Sequence, residues 1–437
     1  MSWLNFFDNK TEIKHPFGRG INANLSKNEE ELFNKSYEAF EKKDILNAYE
    51  YFFQSLQNYT NETSNNNIIL NRKIDKLNFE IFQGSAKVSG YVTKEHLYAD
   101  CIITKKLSKN LALKRYLLER NYQLTYAAYF SDDEYIRLKL FNDNITMSPQ
   151  KIFFPLREIA LNADFDKEFI TSEFPDVTIE DIKHLKAIDE NELKIKYNYL
   201  HKWIDDVKEK ISTFPSNDNV GMQSFALLYL FFKIDYLIVP KYKIYQKISK
   251  KTQEYFNDNS LPIEAKNEEF KNYLQVLKDI SIDEFRKNFY DAKYTFNPSE
   301  KTSHEDISTF INESLTKIRW YKNNRYNQII PIIYKYIGLY LLYNYGLNPV
   351  VKQLIHTLVE IQNQDFFNAL KYTPLYNEEN KSFSKKIIIV RIEEIIAPYQ
   401  SQFKSLKPFG SELNFNSLNE FSNSFYLQLN NLNFEEI

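Results

Sequence analysis

The chain has 437 residues, 43% of them hydrophobic, which is enough for two or three packed cores rather than one. Lys and Arg number 56 and Asp and Glu 58, a net charge of −2, so no long-range field draws the chain to nucleic acid, anionic lipid or an acidic partner, and only local patches remain to do so. The single cysteine, Cys101, excludes an intramolecular disulfide and any metal site needing two thiolates.

Residues 1–10 carry Trp3, Leu4, Phe6 and Phe7 but no basic n-region, sustained apolar stretch or small-residue cleavage site, which predicts a cytoplasmic protein. Residues 1–27 stay polar around His15-Pro16 and Gly18-Arg19-Gly20 and read as an arm, whose use would come from docking. Across residues 28–67, Leu32, Phe33, Tyr37, Phe40, Ile45, Ala48, Tyr49, Phe52 and Leu56 predict two helices broken near Lys43-Asp44. Leu32, Ser36, Phe40, Asp44, Ala48, Phe52, Ser55 and Leu56 look like one tetratricopeptide repeat, with small residues where its helices cross. A solenoid needs about three such repeats, and strands follow instead, so a lone hairpin against its neighbour is expected. The polar run from Thr60 to Asn67 marks a surface loop.

Residues 68–175 predict an α+β unit. Leu77, Phe79 and Ile81 alternate with polar residues, as do Ala86, Val88, Gly90 and Val92, then Leu97, Ala99, Cys101 and Ile103, with turns at Gln83-Gly84 and at residues 93–96. Leu113, Tyr116, Leu117 and Arg120 predict a helix over 109–121; 122–130 and 135–141 return to period two across Ser131-Asp132-Asp133-Glu134. Ser148-Pro149 opens a helix with the stripe Ile152, Phe153, Leu156, Ile159 and Ala160, and Pro155 falls in its early turns. This order, most tellingly in residues 114–169, resembles the bacterial type III secretion chaperone-like fold shared with YbjN-type proteins. The resemblance covers about a hundred residues and rests on pattern and order. It implies action without catalysis: a sheet and its helices hold a partner's extended segment in apolar grooves, commonly as a homodimer. The faces it points to run through Val88, Val92, Leu97 and Ile103 on the strands and Leu113 and Leu117 on the helix.

Residues 176–437 depart from that family and predict an all-α domain, with helices near 178–190, 192–213, 221–239, 241–257, 265–280, 281–292, 303–323, 325–345 and 349–370. Breaks fall at residues 214–218, 257–262 and 296–299; Gly346 suits a helix end and Asn348-Pro349 the next start. Residues 385–398 fit a strand or a helix, with Glu393 and Glu394 favouring the helix, and a last helix is expected near 415–430. The apolar runs 225–239 and 329–345 are shorter than a membrane span of ~20 residues and hold Lys233, Asp235 and Lys335, so they predict buried core helices.

Candidate chemistry is sparse. With 8 scattered glycines the chain has no phosphate-cradling loop, and Gly18-Arg19-Gly20 lacks a preceding strand. Cys101 alternates with Ala99 and Ile103 as a small buried residue, and its odd spacing from His96 sends that imidazole to the other face. The histidines at 15, 96, 184, 201, 304 and 356 form no HExxH pattern, and His304-Glu305-Asp306 suits a helix start. The carboxylates at 132–134, 205–206 and 393–394 read as solvated. No cofactor is expected. Residues 241–247, with Lys241 and Lys243, and 317–326, with Lys317, Arg319, Trp320 and Arg325, interleave cations and aromatics as single-stranded nucleic-acid binders do, although 32 Tyr and 35 Phe make chance interleaving common. The leading expectation is a non-enzymatic protein-binding adaptor or chaperone-like component of a multiprotein system. The alternatives are a nucleic-acid-associated protein and an enzyme whose site assembles from distant residues.

Overall fold

The computed structural model describes residues 17–18, 27–57, 67–106, 110–215, 219–258 and 260–435. Most of the arm, the polar run from 60 to 66, and turn positions 216–218 and 259 lie outside the described residues.

Helices α1 (Lys27–Glu41) and α2 (Ile45–Ser55) form the expected hairpin. Their crossing is made close by small residues: Ser36 and Ala48 are fully buried, and the Ser36 hydroxyl donates to the Ala48 carbonyl at 2.7 Å. A sheet follows, with β1 (Ile68–Arg72), β2 (Leu77–Gln83), β3 (Ala86–Val92), β4 (His96–Lys105), β5 (Ala127–Ser131) and β6 (Tyr135–Asp143). Its order is β1-β2-β3-β4-β6-β5, every neighbouring pair antiparallel. Helix α3 (Leu111–Gln123) carries the chain past the place of β6 to the far edge, and β6 returns beside β4. Helix α4 (Pro149–Glu173) then lies across β2, β3, β4 and β6 and runs on through Pro155. Gly90 is needed where it stands: a Cβ there would lie 2.3 Å from the Tyr98 carbonyl oxygen and 2.4 Å from the Phe79 ring.

Four local expectations are corrected. Strand β1 is additional; the strand predicted from residue 122 starts only at Ala127, because α3 continues to Gln123 and the Glu158 carboxylate then gathers the amides of Thr125, Tyr126 and Ala127 at 2.7–3.0 Å. Residues 178–189 are not helical, with Ile179 bridging to Thr104 and Lys186 to Asp291 across an intervening turn. The helix predicted over 281–292 is the short α9 (Ile282–Arg286), after which the chain leaves to strap the α+β unit.

The remaining helices are α5 (Glu190–Ser212), α6 (Val220–Lys233) with a π-helical turn at Ile234–Ile238, α7 (Tyr242–Asn257), α8 (Ile263–Asp279), α10 (His304–Asn323), α11 (Ile330–Asn344), α12 (Pro349–Gln362), α13 (Gln364–Ala369), α14 (Lys385–Ile396) and α15 (Leu418–Asn430). Residues 385–396 are therefore helical, and a two-stranded turn (Tyr376–Asn377 with Ser382–Phe383) precedes them. Asn348 caps α12 as expected, accepting from the Val350 amide at 2.8 Å. The segment Val220–Ile238 is long and apolar enough to cross a membrane, but 83% of it packs inside the helical core.

There are two hydrophobic cores. One gathers α2, the inner sheet face and α4; the other gathers α5 to α15. The strap of residues 288–301 joins them. Phe296 belongs to the sheet core, the Gln83 side chain accepts from the amides of Thr295 and Phe296 at 3.0 and 2.8 Å, and Arg157 donates to the carbonyls of Asn297 and Pro298.

Candidate interaction surface

All six residues expected to line a partner groove are core residues. Val88, Val92, Leu97, Ile103 and Leu113 have no exposed surface and Leu117 has 5%. The apolar phase of the strands meets α4 and α2, so the face that sequence periodicity marks as sticky is the one the chain itself covers. Binding at those positions is corrected to packing.

What the unit exposes is the opposite phase. Eleven of the twenty large hydrophobics exposed among the described residues fall within residues 68–174. Three make a stripe on α3: Leu111, Leu118 and Tyr122, the last 94% exposed, follow one another at helical spacings on the face opposite Leu113 and Leu117. Tyr126, just past the helix end, and Phe130, on β5, are exposed as well. The outer sheet face carries cross-strand pairs: Tyr91 with Tyr98 at 5.4 Å, His96 with Phe141 at 5.0 Å, and Lys139 over Phe130 at 4.1 Å. Arg137 lies between Asp100 and Asp132, 2.7 Å from each carboxylate.

The stripe is held in place from below. Asn110 caps α3 by accepting from the Leu113 amide at 2.9 Å. On the inner side, Asp166 of α4 is fully buried and accepts from the hydroxyls of Tyr116 and Tyr129 and from Arg120 Nε at 2.9 Å. Burial opposes the charge on Arg120, but the Asp166 carboxylate beside it holds the guanidinium above its ordinary pKa.

The edge of β5 is closed to a pairing strand. Asn121 accepts from the Tyr129 amide and donates to the Tyr129 carbonyl at 3.2 Å, and Glu158 holds the preceding amides. Asn121→Ala is expected to cost about 1 kcal/mol in urea unfolding and to raise concentration-dependent light scattering, because it frees that backbone for strand pairing.

The two basic segments separate in the structure. Lys241 is buried to 3%, its ammonium bonded to the Tyr294 hydroxyl and 5.4 Å from the centre of the Tyr290 ring, so it serves the junction with the strap and not a ligand; Lys243 is exposed. Lys317, Arg319, Trp320 and Arg325 are all exposed at the end of α10.

The other candidate chemistry falls into structural roles. Cys101 is buried, and burial pushes its thiol pKa up; His96 lies on the outer sheet face. Among the described residues no group of three or more His, Cys, Asp or Glu is set to hold a metal ion. His304 opens α10 behind the cap Ser303, with Glu305 and Asp306 in the first turn. Lys233 is 5% exposed and stands 3.7 Å above the Trp203 ring; burial drives its pKa well down. The cleft between α7 and α8, where Lys251, Glu254 and Lys266 converge, encloses about 20 Å³, room for a water rather than a substrate.

No protein-family model matches the chain, and no curated protein shows significant similarity to it.

Proposed function

We propose that this chain is a non-catalytic, cytoplasmic, protein-binding adaptor or chaperone-like component of a multiprotein assembly, and that it engages its partner through the outer side of α3 and the adjoining β5. The observation that carries this reading is the stripe Leu111, Leu118 and Tyr122, apolar and exposed on a helix whose other side is already committed to the core. A rigid support below the stripe favours recognition by an amphipathic or apolar surface laid along the helix, since the ordering cost is already met by folding. The guarded β5 edge argues against strand addition there.

The test compares the tagged full chain with Leu118→Glu/Tyr122→Glu, both purified from the native host, by mass spectrometry and by light scattering on a sizing column. A stoichiometric protein partner held by the native chain and lost by the double variant is the expected result. A mass of twice 52.2 kDa that falls to 52.2 kDa in the variant identifies the partner as a second copy. A partner retained equally by both proteins, or none with the native chain monomeric, overturns the reading. Both substitutions are at exposed positions, so circular dichroism should be unchanged.

A further inference from the structure

The corner where α10 turns into α11 combines three features found together nowhere else among the described residues. First, residues 314–359 contain no Asp or Glu but six Lys and Arg, in a chain where acids slightly outnumber bases overall. Second, Lys317, Arg319, Lys322 and Arg325 are exposed, and none of them is held in an ion pair among the described residues. Elsewhere cations such as Arg137, Arg157, Lys202 and Lys278 are paired with carboxylates. Third, Trp320 is 55% exposed and lies nearly parallel to Tyr326, with ring centres 6.2 Å apart and planes 22° apart, while Tyr321 meets it edge-on at 5.0 Å.

The helix dipole accounts for Lys322 and Arg325 in and just after the last turn of α10, where cations are favoured beside the free carbonyls. It does not account for Lys317 and Arg319, which stand further back, nor for an exposed indole. The turn itself is fixed: Arg325 adopts φ +63°, and the amides of Asn324 and Tyr326 donate to the carbonyls of Trp320 and Tyr321 at 3.0 and 2.9 Å. The indole and the tyrosine ring are therefore presented on a closed corner rather than on a loose loop.

We propose that this corner is a binding site for single-stranded nucleic acid, with Trp320 on Tyr326 as a stacking platform for a base and Lys317, Arg319, Lys322 and Arg325 holding the phosphates on either side. The charge complementarity is with a flexible polyanion, and a flat, exposed indole backed by a half-buried tyrosine ring selects a polyanion that carries bases. The site is distinct from the α3 surface and independent of what binds there.

The test uses the full chain and a fluorescent oligothymidylate of about 20 nucleotides, read by anisotropy. Four cations on four phosphates give a log affinity against log salt slope near −2.8, so binding should weaken ~50-fold between about 50 and about 200 mM NaCl. Lys317→Gln/Arg319→Gln should halve that slope, to about −1.4. Trp320→Ala should weaken binding roughly 5- to 150-fold at fixed salt, and should remove the ligand-dependent part of the tryptophan quenching. Vesicles rich in phosphatidylserine are the control polyanion. No binding at the lower salt overturns the proposal. So does binding that Trp320→Ala leaves unchanged, and so does vesicle binding that depends on the two cations while the oligonucleotide is ignored, which would make the corner a membrane-facing patch.

Discussion

Asp166→Asn should destabilise the α+β unit by about 3–5 kcal/mol, the usual cost of removing one member of a buried ion pair. The carboxylate has no exposed surface, and the Arg120 side chain keeps only 15%. Without Asp166 the guanidinium is left with the neutral acceptors Asn162 and Gln123, and two partly buried phenols lose an anionic acceptor. Because the network ties α3 and β5 to α4, the loss should be local first. Amides of residues 111–131 should exchange faster by hydrogen–deuterium mass spectrometry before the helical domain changes. Asp166→Leu/Arg120→Met should recover most of the stability, since it removes both charges rather than stranding one. A single variant within about 1 kcal/mol of the native chain would show instead that Arg120 swings out to water, and that the pair places α3 without stabilising it. If a partner docks on α3 as proposed, Asp166→Asn should weaken its binding without touching the stripe itself.

Much of the architecture was legible because periodicity and capping are local. Ser148-Pro149, Ser303 and Asn348 each open a helix where the sequence places one, and Ser36 with Ala48 marks the crossing of the first hairpin. What was not legible was decided across the chain. The extended run near Ile179 exists because Thr104 and Asp291 offer it partners from other elements, and the strap around Phe296 follows from packing that no local pattern announces. The exposed apolar surface was not legible for a more instructive reason. Val88, Val92, Leu97 and Ile103 are the strong phase of alternating strands, and a strong phase is what a protein buries. The informative signal was the weak phase: Tyr91, Tyr98, Phe130 and Phe141 occupy positions where alternation calls for polar side chains, and Leu118 is out of step with Leu113 and Leu117. An apolar residue where the pattern wants a polar one is better evidence of a surface in use than an apolar residue where the pattern wants one. The same distinction separates Lys241, which the strap consumes, from the cations at the end of α10, which no carboxylate of the described residues engages.

Stability should also fall steeply in mild acid, and His356 should be the main cause. The imidazole sits among Phe17, Tyr236 and Phe367, with Nδ1 2.9 Å from the Tyr236 hydroxyl. Burial first, and then the charges of Arg391 and Lys352, hold its pKa down to about 3 from an ordinary 6.5. The unfolded chain takes up this proton near pH 6.5 and the folded chain does not until about pH 3, so between those limits the unfolded state binds more protons and acid favours it. The contribution is flat above about pH 7 and is lost at up to about 1.4 kcal/mol per pH unit below 6.5. His356 keeps some contact with solvent, so a loss of about 2 kcal/mol between about pH 6.5 and 4.5 is expected from it, above the range where most carboxylates titrate. His184, His201 and His304, each lowered by burial, act in the same direction. Urea midpoints measured across this range should therefore slope in the native chain and flatten in His356→Gln, which keeps a hydrogen-bonding group for Tyr236 but takes up no proton. Parallel profiles for the two proteins would assign the acid sensitivity elsewhere. The consequence reaches the amino-terminal arm, because Phe17 packs on this ring and the Gly18 amide donates to the Tyr236 carbonyl at 3.0 Å. An opening that frees His356 to take up its proton is favoured increasingly below pH 6.5, and it undocks the one docked point of the arm among the described residues, so in the native chain the Gly18 amide should lose protection as the pH falls toward 3, before the helical core does, and in His356→Gln it should not.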